Sequence, residues 1–62
     1  MKKEAIYDIA HCYQNGDLEN ALMEAAAWVK ELGEDRVVHV IARLDENIPG
    51  AWWVDVIYRV KQ

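Results

Sequence analysis

Along the first half of the chain, apolar residues return every three or four positions; along the second half they alternate. Ile6, Ile9, Ala10 and Tyr13 follow the i, i+3, i+4, i+7 spacing of one helix face, predicting a helix over about residues 3–14. Asn15, Gly16 and Asp17 interrupt it; glycine accommodates the left-handed closing turn and aspartate is a good N-cap for a second helix. A longer stripe of Leu18, Ala21, Leu22, Ala25, Trp28, Val29 and Leu32 predicts that second helix over about 17–32, closed by Gly33.

Beyond Glu34 and Asp35 the period falls to two. Arg36–Leu44 (RVVHVIARL) and Trp52–Val60 (WWVDVIYRV) are dense in β-branched and aromatic residues. They predict strands over about 36–44 and 52–61, joined through DENIPGA, which holds the only proline. The expected fold is therefore α+β in the order ααββ, a helical hairpin laid on one face of a β-hairpin within one small domain.

The segment Ala10–Ala21, AHCYQNGDLENA, resembles the inter-helix region of a tetratricopeptide repeat at Gly16, Asp17 and Ala21. It departs at Asp8 and Ile9, where that family has Leu-Gly, and at Trp28, where it has a small residue. The resemblance implies two helices joined by that turn, and no function is carried over from it.

Pairing Leu44 with Trp52 and counting outward sets Val38, Val40 and Ala42 opposite Tyr58, Val56 and Val54. That face is apolar and suits the helices, with Trp52 closing the loop end of the core. The reverse face carries Val37/Arg59, His39/Ile57, Ile41/Asp55 and Arg43/Trp53. It is too apolar for an ordinary solvated surface and too charged for a dry interior. Trp, Arg and aliphatic residues together are the mixture enriched at protein interfaces. Trp53, Arg43, Ile41, Ile57, His39, Asp55 and Arg59 are thus the candidate partner-binding residues. Arg43 over Trp53 would contribute about 0.5–1 kcal/mol at an exposed site.

Composition narrows the function. A chain of 62 residues buries only about 60 % of its unfolded surface, so a staple is expected. Cys12 is the single cysteine, which excludes an internal disulfide, and with His11 and His39 it forms no zinc-site spacing. Association with a second copy is the remaining staple, and a dimer that extends the sheet is the expected form. The lone thiol and the absence of an export signal suggest a cytoplasmic protein. No apolar run approaches the eighteen or so residues of a membrane helix.

Net charge is −4, with eight acids and three bases in residues 1–35 against three and four in residues 36–62. An acidic chain is repelled by a phosphate backbone. Nucleic-acid binding is therefore the alternative reading, resting on Arg43, Trp53, Arg59 and Lys61 as a stacking and phosphate-binding surface. Adjacent His11 and Cys12 would point about 100° apart on a helix, so they make no catalytic pair. No other motif supports an enzyme, and no cofactor is implied. The leading expectation is a small, non-enzymatic interaction, inhibitory or accessory protein that self-associates through the mixed face.

Overall fold

A computed structural model describes residues 6–60 and shows one helix against a three-stranded antiparallel sheet. The elements run β1 (Tyr7–Asn15), α1 (Leu18–Leu32), a 3-10 turn (Glu34–Arg36), β2 (Val37–Leu44) and β3 (Ala51–Arg59). Strand order is β1-β3-β2, so β3 is central and the helix connects the two outer strands.

The class is α+β, as expected, but the order is βαββ and the first helix is a correction. Residues 7–15 pair with β3 from Tyr7↔Arg59 through Ile9↔Ile57 and His11↔Asp55 to Asn15↔Ala51. The helical resemblance at Ala10–Asn15 fails with it. Residues 3–5 of the expected helix and Lys61 lie outside the described residues.

The helix spacing of Ile6, Ile9, Ala10 and Tyr13 misleads because the small residues face inward. Ala10 and Cys12 are buried with Ala21 and Ala25 of α1 and with Val54 and Val56 of β3. Small side chains on both layers let the helix lie close to the sheet. Leu18, Val29, Leu32, Val37 and Tyr58 close the periphery of that cluster.

Both ends of α1 are built as the sequence suggests. The Asp17 carboxylate accepts from the Asn20 amide at 3.0 Å, capping the first turn. Gly33, at φ 97°, ends the helix while its N–H donates to the Val29 carbonyl at 2.9 Å. An L side chain rarely adopts that conformation. On one flank, Gln14 Nε2 donates to Glu24 Oε1 at 3.2 Å and ties α1 to β1.

The helix lies over β1 and β3 and touches β2 only lightly. Two residues of the expected stripe, Leu22 and Trp28, therefore flank the buried line and are exposed. On β2 the inward-facing Val40 and Leu44 are likewise exposed, at 48 % and 56 %. Trp52 is only half-buried beside Leu44, so the loop end of the layer is less closed than expected.

The hairpin register follows the count from the loop, pairing Leu44↔Trp52, Arg43↔Trp53, Ala42↔Val54, Ile41↔Asp55, Val40↔Val56 and His39↔Ile57. A bulge then shifts it, so Val37 rather than Val38 meets Tyr58. No helix among the described residues is long and apolar enough to cross a membrane.

Candidate functional site

The face of the sheet turned away from α1 carries one polar and aromatic cluster, centred on β3. Period-two alternation puts Trp53, Asp55 and Ile57 on this face, together with His39, Ile41 and Arg43 of β2. Pairing with β1 adds Ile9, His11 and Tyr13. Seven candidates came from the hairpin alone; β1 contributes the residues that complete their surroundings.

Asp55 is the hub. It is 9 % exposed, and each carboxylate oxygen has its own donor. His11 Nδ1 lies 2.7 Å from Oδ1, and Arg43 Nε donates to Oδ2 at 2.9 Å. Burial alone would raise its pKa. The hydrogen bonds from His11 and Arg43, with the Arg43 charge, outweigh it and hold the carboxyl below the usual aspartate value. With Nδ1 directed at Asp55, His11 is left with Nε2 for any outside partner. His11 thus lies on a strand rather than on the expected helix, and it, not His39, is the histidine that meets Asp55.

Trp53 is held on several sides. The Tyr13 ring packs against it at 4.7 Å between centroids, and His11 meets it edge-on at 5.9 Å. The Arg43 guanidinium lies 5.2 Å from its centroid, as the cross-strand register implies. Its indole Nε1 donates to Asp45 Oδ2 at 2.8 Å. Asp45 also accepts from the amides of Asn47 and Ile48 through Oδ1, so one loop carboxylate joins the turn to the cluster. These bonds, the indole's first, lower the Asp45 pKa.

The remaining candidates are dispersed. Ile57 lies between Ile9 and His39, and Ile41 lies beside Asp55. Arg59 is at the far end of β3, opposite Tyr7; its carbonyl accepts from Arg36 Nε at 3.0 Å. Arg36 also lies 5.6 Å from the Tyr58 ring centroid, making a separate contact at that end. The face therefore presents a rigid polar and aromatic centre bordered by exposed Ile9 and Ile41.

Cys12 points the other way, fully buried beneath α1. Its strand neighbour His11 is on the opposite face, so the two cannot act as nucleophile and base. Burial, and secondarily the charges of Glu24 and Asp55, push its thiol pKa up. Among the described residues no group of three or more His, Cys, Asp or Glu is arranged to hold a metal ion. Surface depressions lie elsewhere, one along Glu24, Ala27, Trp28 and Glu31, another between Glu31, Asp35, Arg36 and Arg59.

Comparison with protein-family models, with curated proteins and with solved structures finds no match to this chain.

Proposed function

We propose that this chain is a small, non-enzymatic interaction protein, of accessory or inhibitory type, that binds protein partners, a second copy of itself among them, through the open face of its sheet. The observation that carries this reading is the cluster of Trp53, Tyr13, His11, Arg43 and Asp55, bordered by Ile9 and Ile41, on a face that no element of the described chain covers. Tryptophan, tyrosine and arginine in a fixed, mutually supported arrangement are the side chains that anchor protein interfaces. Both Asp55 oxygens and the Trp53 indole N–H already have partners within the chain, so a partner protein can cover them without orphaning that buried charge.

Nucleic-acid binding draws less support. Arg43 is engaged with Asp55 and Trp53, while Arg59 sits at the other end of the sheet. The chain's net charge of −4 opposes a phosphate backbone.

Light scattering across a concentration series tests the proposal. Wild type is expected to reach a dimer or larger assembly, and Ile41→Lys or Trp53→Ala to weaken it. A wild type that stays monomeric to millimolar concentration removes the self-association half of the reading.

A further inference from the structure

We infer that the outer edge of β2 is a self-pairing edge: two copies join β2 to β2 antiparallel about a two-fold axis, making one six-stranded sheet. The inference rests on the self-association proposed above and specifies where the second copy sits.

The backbone identifies the edge. Asp45 N donates to the Ala51 carbonyl at 2.8 Å, so the residue at position 45 directs its amide toward β3. Hydrogen-bonded and non-hydrogen-bonded pairs alternate along an antiparallel ladder. Arg43, Ile41 and His39 therefore also point their amides and carbonyls inward, and Leu44, Ala42 and Val40 point theirs outward. These outward groups form a regular row with no described strand of this chain beside it.

The sheet's other edge differs. On β1 the bonds Val60 N to Ile6 O and Gly16 N to Gly50 O fix the even-numbered residues as inward, which leaves the Ile9 amide outward. The Asp8 carboxylate accepts from that amide at 2.8 Å. A side chain occupying an edge donor, and bearing a negative charge, is a recognised guard against strand addition. Within Val37–Leu44 there is no proline, glycine, lysine or carboxylate to serve that purpose. Its one strong charge, Arg43, is folded onto Asp55.

Side chains along β2 match the same geometry. Val38, Val40, Ile41 and Leu44 are all exposed in the single chain. Helix α1, sitting over β1 and β3, leaves their inner-face members uncovered. An axis through Ile41 pairs the regular stretch of the strand, short of the bulge at Val38. Val40 then meets Ala42 of the second copy as a hydrogen-bonded pair, and the two Ile41 side chains meet on the open face. A one-residue slip would set outward groups of one copy against inward-bonded groups of the other.

Hydrogen exchange by NMR, with sedimentation on the same samples, tests the edge directly. In the dimer the amides of Val40, Ala42 and Leu44 should be protected, and dilution to monomer should abolish that protection. Ala42→Pro removes an outward N–H while leaving the hairpin's own bonds, a substitution an edge strand tolerates. Its dimer dissociation constant should rise by at least about tenfold, with the circular dichroism of the folded chain retained. Val40→Lys should act in the same direction. A stable dimer whose Val40, Ala42 and Leu44 amides exchange freely overturns the edge assignment while leaving self-association standing. So does a dimer weakened by Ile9→Lys but not by Ala42→Pro. A wild type monomeric at all concentrations overturns both.

Discussion

His11 Nδ1 lies 2.7 Å from Asp55 Oδ1, directly across the β1–β3 pair, while Arg43 reaches the other carboxylate oxygen from β2. One carboxylate thus links all three strands on the face that the helix leaves open. Because Asp55 is nearly buried and its partners are half-exposed, the energy resides in satisfying its charge rather than in the surface ion pair. Asp55→Asn keeps the shape but loses two charge-assisted bonds. It is expected to destabilise the fold by about 1–2 kcal/mol, read as a lower urea midpoint with unchanged slope. Arg43→Ala and His11→Ala should each cost less. Their combination should fall short of additivity, since all three form one network.

The pH dependence of stability has a definite sign. The folded-state pKa of Asp55 is depressed, so its stabilisation is complete above the unfolded value of about 3.9 and is lost as pH falls through the folded value. Asp45 is shifted in the same direction, chiefly by the Trp53 indole. Unfolding free energy is therefore expected to fall on acidification below about pH 4. Urea titrations at successive pH values should show wild type and Asp55→Asn converging in acid. Curves that stay parallel would show that Asp55 has the same pKa folded and unfolded.

Trp53 connects the open face to the hairpin loop through its indole N–H on Asp45. Trp53→Phe preserves a ring for Tyr13 and Arg43 and deletes only that bond. Released from the indole, Asp45 should hold the turn less firmly, and the amides of Asn47 and Ile48 should exchange faster. The β1–β3 amides should change little. Uniform acceleration across the sheet would instead mean that Trp53 supports the whole fold.

The hairpin was legible because each of its signals is local. Alternation from Val38 to Leu44, the proline-glycine loop and the pairing of Leu44 with Trp52 fixed a register that holds until the bulge at Val38. The first strand was not legible from the same kind of signal. Its large residues, Ile9 and Tyr13, face the open side, while Ala10 and Cys12 face the helix. A stripe counted by size therefore tracks the wrong period. Its strand identity is fixed by pairing with residues more than thirty-five positions away, beyond any local window. His11 and Tyr13 were missed for that reason. The alternation of Ala10 and Cys12 with Ile9, His11 and Tyr13 could have revealed them, as could the unpaired edges of a lone hairpin.

The small-residue layer beneath α1 permits a final prediction. Ala21 and Ala25 lie on Ala10, Cys12, Val54 and Val56, with Ala21 and Cys12 wholly buried and Ala25 2 % exposed. No room remains for added methylenes, so Ala25→Leu must lift the helix or force strained rotamers, at about 1–3 kcal/mol. Cys12 reports the same layer independently. Its thiol is buried and its pKa raised, so the reactive thiolate is scarce at neutral pH and shielded from solvent. Wild-type Cys12 should resist an aromatic disulfide reagent in buffer and react as urea opens the fold. Ala25→Leu should label faster in buffer by the factor that its loss of stability implies, roughly tenfold per 1.4 kcal/mol. Rapid labelling of the wild type would place α1 away from Cys12 for much of the time and refute the close packing of helix on sheet.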